Sequence, residues 1–264
     1  MRTEFERVVV TAHDGVAVLS LNHPEVVNAI SAPMIDGAMR ALDMIAAAGF
    51  RAMIFTGEGR GFSSGANLAD RPHDVGDIPA GIGRTLDKLY HPLLRKLRDL
   101  PMPIVTAVNG PAVGVGMSFA LMGDIVLAAR SAYFLHSFTR IGLVPDGGST
   151  WLLPRLIGLA RARELSFLSE RLSAEKALAW GLINGVCEDA ELMGEALKTA
   201  RKLAEGPSTA LKALRRLYWE SPHNTYEQQL DLERACQQSA AGTSDFVEGV
   251  TAFLQKRPPR FTGQ

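Results

Sequence analysis

Three short stretches carry the residues able to do chemistry. In "RIGLVPDGGST", Arg140 to Thr150, one carboxylate, Asp146, stands between an apolar run and two glycines. A carboxylate against an apolar wall is a candidate base for a carbon-bound proton, because such surroundings disfavour its charged form and exclude water. Ile141, Leu143 and Val144 would supply that wall, and Pro145 would stiffen the turn. The same position suits a turn or N-cap residue for a helix through Trp151 and Leu152, and the spacing leaves both readings open.

The other two stretches are "GFSSGANL", Gly61 to Leu68, and "NGPAVGVGMSFA", Asn109 to Ala120. Their small residues let the backbone approach a ligand closely. A helix starting in the second presents unpaired N–H groups and the positive end of its dipole. Two N–H groups converging from separate loops would hold a negatively charged oxygen. In acyl chemistry one such donor is worth about 3–4 kcal/mol in the transition state. Either loop alone is equally a tight turn that packs a helix on a strand. Neither has the Gly-Lys-Ser/Thr of a Walker A loop, and neither matches GxGxxG in its strand–helix context.

Other polar residues carry less. Ser63 and Ser64 have no readable His–Asp partners, which argues against a hydrolase triad. His136 reads as a structural hydrogen-bonder, Asp124 as structural, and His73, Asp74 and Asp77 as solvated. The stripe Leu211, Leu214, Leu217 and Tyr218 reads as core or subunit contact.

The elements that must position these groups alternate. "VVVTAHDGVAVLSLN" predicts an antiparallel hairpin turning at His13-Asp14-Gly15. Ser31 would cap a helix that Gly49 stops, and "RAMIFTG" would be a buried strand. Asp70 to Gly83 reads as a mobile loop, followed by a helix from Arg84 to Leu100. "MPIVTAVNG", "VGMSFALMG" and "DIVLAAR" then read as strand, helix and strand, so the core is α/β. From about Glu188 four helical stretches follow, the last capped by Ser244 or Asp245 and running to about Lys256. The expected division is a core over 1–190 and a helical region over 191–264.

Composition narrows the class. The chain has 264 residues, 47% hydrophobic and 21% charged, with 28 basic and 28 acidic side chains. A zero balance gives no footprint for nucleic acid or a membrane surface. Cys187 and Cys236 give neither a disulfide framework nor metal-ligand spacing, which suits a reducing cytoplasm. The N-terminus lacks the apolar stretch of a signal peptide. Ile104 to Ala129 is too interrupted for a membrane span.

Taken together, "LNHPEVVNAIS", "GFSSGANL", "VNGPAVGVGMSFALMGDIVLAA" and "IGLVPDGGSTWLLPRLIG" resemble the crotonase, or enoyl-CoA hydratase/isomerase, superfamily. The likeness runs through "LSAEKALAWGLINGV" to "FLQKRPPRFTG". It implies a crotonase-like ββα spiral core with a C-terminal helical trimerisation region, assembled as a homotrimer or a dimer of trimers. It implies an acyl-CoA thioester substrate and no metal or redox cofactor, coenzyme A arriving with the substrate. The oxyanion hole would be the backbone N–H groups of Ala66 and Val115. Val27, Ala29, Ser64, Gly65, Asn67, Leu68, Gly116 and Phe138 would line the thioester and CoA chain. Phe253 and Lys256 would reach the adenine and phosphates, across a subunit interface.

Hydratases of this family carry two glutamates, and Ser118 and Phe138 stand at those positions here. Neither is a general base for water. Asn67 also replaces an aspartate usual in the first loop. Asp146 falls where related isomerases place an acid, so the expected reaction is a proton shift through a thioester enolate. Within the family, "IGLVPDGG", "LDLERACQQSAAGTSDFVEGVTAFLQKR" and "PRFTGQ" are most similar to the ring 1,2-epoxyphenylacetyl-CoA isomerases. Hydration, another reaction on the same oxyanion hole, or a silent acyl-CoA-binding subunit are the alternatives.

Overall fold

The computed structural model describes residues 2–68 and 78–264. His73, Asp74 and Asp77 lie outside the described residues.

The hairpin forms as the sequence requires. β2 (Val8–His13) and β3 (Val16–Leu21) pair antiparallel from His13–Val16 to Val8–Leu21. Asp14 and Gly15 between them have φ of 48° and 81°, the left-handed pair that a two-residue hairpin turn demands. β1 (Arg2–Phe5) adds an antiparallel edge strand that the sequence reading missed. β4 (Ala52–Gly57), β5 (Ile104–Val108), β7 (Ile125–Ala129) and β10 (Gly185–Cys187) extend the sheet in parallel, in the order β1-β2-β3-β4-β5-β7-β10. β6 (Ala112–Val113), β8 (Tyr133–Leu135) and β9 (Arg171–Ser173) make a second, three-stranded sheet.

Every residue of β3, β4 and β5 is buried, so both sheet faces are covered. The cover includes α1 (Ala32–Ala47), whose Ile35, Ala38, Leu42 and Ile45 face inward at helical spacing. Ser31 accepts the Met34 N–H as its N-cap, and Gly49 turns with φ 76° just beyond it. α7 (Leu192–Ala204) also packs on the sheet, burying Leu192 and the small residues Ala196, Ala200 and Ala204.

The expected loop up to Gly83 is helical from Ile78. α2 (Ile78–Thr85) runs through a wider turn at Leu86–Tyr90 into α3 (His91–Asp99). The i→i+5 bond from His91 N–H to Leu86 O precedes Pro92, whose ring a regular helix would set against a carbonyl. Propagation from the longer helix outweighs the weak propensity of Gly81 and Gly83.

α4 (Val115–Ala120), α5 (Ser149–Leu168) and α6 (Ala174–Trp180) follow the loops of the site. α8 (Ser208–Glu220), α9 (Tyr226–Ala241) and α10 (Ser244–Leu254) complete the expected helical end. Leu214 and Tyr218 on α8 are exposed, so the stripe there is not core of this chain. Arg215 is buried instead, paired to Asp124 at 2.7 Å and donating to the carbonyls of Leu97 and Leu100. The cap of α10 is Thr243, which accepts the Phe246 N–H, rather than Ser244 or Asp245. Asp245 is occupied elsewhere, accepting the N–H groups of Thr262 and Gly263 at 2.7 and 2.9 Å.

Candidate active site

β3, β4 and β5 are parallel neighbours, so the segments that follow them leave the sheet at one edge. These segments are residues 22–31, 58–68 and 109–114, and short backbone ladders stitch them together. Ser63 N–H bonds Pro111 O and Val113 N–H bonds Ser63 O, both at 2.9 Å. Ile30 N–H bonds Gly65 O at 2.7 Å, and Asn67 N–H bonds Ile30 O at 2.8 Å. In that parallel pattern the Ala66 N–H faces away from Ile30.

Two glycines set the approach of the loops. Gly65 has φ 96°, and a Cβ there would lie 2.9 Å from Val113 O and 3.9 Å from Gly114 Cα. Gly114 has φ 54° and ψ −127° and immediately precedes Val115, the first residue of α4. Each expected oxyanion donor thus follows a glycine of positive φ, and a side chain on the first glycine would meet the second. Val115 opens a helix, so its N–H has no intrahelical acceptor. Among the described residues, neither the Ala66 nor the Val115 N–H donates a hydrogen bond.

The third stretch closes on the second loop. The turn at Asp146-Gly147 leans on α4: a Cβ on Gly147 would meet Ser118 Cβ at 2.7 Å, Ser118 Oγ at 2.9 Å and Val115 Cγ2 at 3.2 Å. Ser118 Oγ donates to Asp146 O at 3.1 Å, and Ser149 Oγ donates to it at 2.8 Å. Asp146 itself is half-buried. The cap reading of Asp146 is corrected: the N-cap of α5 is Gly148, with no side-chain cap. The expected apolar wall is corrected as well. Left-handed Gly142 turns the chain outward, leaving Ile141 54% and Val144 80% exposed, and only Leu143 packs on the core. The apolar contact to the turn comes from Val115.

Phe138 is buried, near the second loop: its ring tip lies 3.9 Å from where a Gly114 Cβ would stand. Gly116 lies against Ser63, whose Cβ would be 2.7 Å from a Cβ at 116. Along the first edge Ala29 is buried, Val27 and Asn67 are half-buried, and Ser64 and Leu68 are exposed. Phe253, 82% exposed, and Lys256 sit on and just beyond α10, and among the described residues no hydrogen bond or ring contact joins either to the loops. Ser63 and Ser64 donate to the carbonyls of Asn28 and Val26, so neither is set up as a nucleophile. Among the described residues there is no cluster of three acidic, His or Cys side chains fit for a metal, and no helix long and apolar enough to cross a membrane.

Sequence reading missed three positioning residues. Buried Asn28 donates to the carbonyls of Glu58 and Gly61 and accepts His23 N–H, all within 2.9 Å, while Asn109 ties Gly57 O and Gly59 O. Asn28 adopts φ 52°, a conformation asparagine tolerates, so the asparagine itself was the usable signal. Ser149 had no signal, since its partner is a main-chain carbonyl.

The enoyl-CoA hydratase/isomerase family model matches residues 11–264. The chain is 43% identical to 1,2-epoxyphenylacetyl-CoA isomerase of Escherichia coli K12, covering 95% of this chain and 96% of that one. It is 41% identical, with the same coverage, to a Rhodobacter capsulatus protein named "Probable enoyl-CoA hydratase". The crystal structure of an enoyl-CoA hydratase from Polaromonas sp. JS666 superposes with a TM-score of 0.88 at 32% identity, over 96% of this chain and 99% of that one. The chain belongs to the enoyl-CoA hydratase/isomerase family and has the crotonase fold.

Proposed function

We propose that the protein is an acyl-CoA isomerase that moves a proton through a thioester enolate, with Asp146 as the base and the N–H groups of Ala66 and Val115 as the oxyanion hole. Asp146 takes a proton from the carbon beside the thioester carbonyl, and the C–H electron pair moves onto the carbonyl oxygen as the enolate forms. The two N–H groups stabilise that charge, each worth about 3–4 kcal/mol. When the carbonyl re-forms, a 3,4 double bond shifts to 2,3 and the proton returns two carbons further along. One carboxylate suffices if it works on one face. Coenzyme A arrives with the substrate, and the reaction calls for no metal or redox group.

The observation that carries this reading is the packing of the Asp146-Gly147 turn onto Val115 and Ser118. It sets the one acid of the stretch beside the second oxyanion loop, where Ser118 stands in place of a hydratase glutamate. The identity to the epoxyphenylacetyl-CoA isomerase supports an aryl-epoxide thioester as the natural substrate, opened through the same enolate. The likeness to named hydratases keeps hydration as the second reading. The exposed apolar face of α10, with Phe246, Val247, Val250 and Phe253, supports assembly through the C-terminal helices.

The test compares 3-hexenoyl-CoA with crotonyl-CoA. Conversion of the first to the conjugated 2-enoyl thioester, with hydration of the second at least about tenfold slower, is expected. Faster hydration would replace this reading with the hydratase.

A further inference from the structure

The ring of His136 is fully buried between two hydroxyls, with Nε2 2.9 Å from Ser149 Oγ and Nδ1 2.9 Å from Ser166 Oγ. We propose that His136 is a positioning residue for Asp146, acting through Ser149 by an oriented chain of hydrogen bonds that ends on the Asp146 carbonyl. This rests on the reading of Asp146 as the base.

Donor and acceptor capacities leave two directions for the chain, and the proposal takes the one that serves Asp146. Asp146 O, a carbonyl, only accepts, and Ser149 Oγ lies 2.8 Å from it, so the single Ser149 proton points there. In the proposed chain Ser149 Oγ then accepts from His136, which places the ring proton on Nε2. A neutral ring so protonated has its lone pair on Nδ1, and Ser166 Oγ, which lies 2.9 Å from Nδ1 and 2.8 Å from the Ala162 carbonyl, must turn its proton from that helix carbonyl to the ring. The opposite tautomer would turn the Ser149 proton back to the ring and release the Asp146 carbonyl from that donor.

The imidazole is itself held in place. Ser169 Oγ donates to the His136 carbonyl at 2.7 Å. The ring stands edge-on to Phe138, with centroids 5.1 Å apart and planes at 79°. Phe138 in turn lies against Gly114, the residue before Val115. His136 is therefore linked through Ser149 to the turn that carries the base, and packs on Phe138 beside the second loop. Burial also pushes its pKa down to about 4, which keeps the ring neutral near pH 7. Ser149 lies at the start of α5, so the chain fixes where the Asp146 turn leaves that helix. A displacement of about 1 Å of a catalytic group lowers a rate by about a hundredfold.

The experiment measures kcat and KM for 3-hexenoyl-CoA with the full-length wild type and with His136→Leu, His136→Gln, Ser149→Ala, the His136→Leu/Ser149→Ala double variant and Asp146→Asn. His136→Leu and Ser149→Ala are each expected to lower kcat by about ten- to a hundredfold with KM within about twofold. The double variant should fall no further than the worse single one, as members of one network do. His136→Gln, which keeps a neutral N–H donor, should recover part of the loss. A kcat for His136→Leu within about twofold of wild type, or single effects that multiply, would overturn the proposal. If either occurs while Asp146→Asn is inactive, only the positioning role is lost. Wild-type rates in Asp146→Asn would sink the base itself. A readout free of turnover is the imidazole ¹⁵N spectrum of the whole protein: a proton on Nε2 is expected, and a proton on Nδ1 would refute the chain.

Discussion

Gly147→Ala tests whether the closeness of the Asp146 turn to α4 matters. Gly147 has φ 63°, and a left-handed conformation costs a residue with a Cβ about 1–2 kcal/mol. The new methyl would also stand 2.7 Å from Ser118 Cβ and 3.2 Å from Val115 Cγ2. Both neighbours are buried, at 0% and 2% exposure, so neither can swing aside. Overpacking of this kind costs about 1–3 kcal/mol. The sum, about 2–5 kcal/mol, is a large part of a typical stability of about 5–15 kcal/mol. If the turn retreats to relieve the clash, Asp146 moves with it and the cost appears as lost rate, about a hundredfold for 1 Å. The control is Gly148→Ala, with φ 77° and nothing within 4 Å of the new methyl. It should bear the conformational cost alone. Denaturant unfolding and isomerisation rates of the two variants give the comparison, and Ser118→Gly should partly rescue Gly147→Ala. Equal stability and equal kcat in the two alanine variants would refute the steric argument.

Three further outcomes are expected. His136 is neutral when folded, with its pKa lowered by burial from 6.5 to about 4, so the unfolded chain binds more protons between those values. Stability should therefore be full above about pH 6.5 and fall as pH drops toward 4, by up to about 3 kcal/mol, and His136→Leu should remove this part of the acid sensitivity in urea titrations. Arg215→Ala leaves Asp124 and two carbonyls without their partner and should cost about 3–5 kcal/mol by denaturant unfolding. Asn28→Ala removes a buried amide that spans two loops and should cost about 1–3 kcal/mol; a loss of isomerisation rate larger than the stability change explains would mark its hold on the loop proposed to carry the Ala66 donor.

What was legible in the sequence was local. Asp14-Gly15 announced a hairpin, Ser31 a helix cap, and the glycine-rich loops two places where backbone must come close. The two corrections at the site share a cause, which is a backbone turn set by glycine. Gly142 swings Ile141 and Val144 outward, and Gly148 occupies the cap position that the sequence left open to Asp146. Three-residue strands such as β8 and β9 are too short to leave a period. Contacts distant in sequence were invisible: Asp124 finds Arg215 across 91 positions, and Asp245 is drawn from the helix cap by the C-terminal tail. The His136–Ser149–Asp146 chain was hidden because its last acceptor is main chain, which no residue type records.

The most direct measurement is the isomerisation of 3-hexenoyl-CoA by wild type and Asp146→Asn, monitored together with exchange of the substrate's α-proton in D₂O. A base that removes a carbon-bound proton contributes about 10²–10⁴-fold, so the variant should lose at least two orders of magnitude in both rates while still binding the thioester. Undiminished exchange and isomerisation in Asp146→Asn would contradict the account, and another group would have to move the proton.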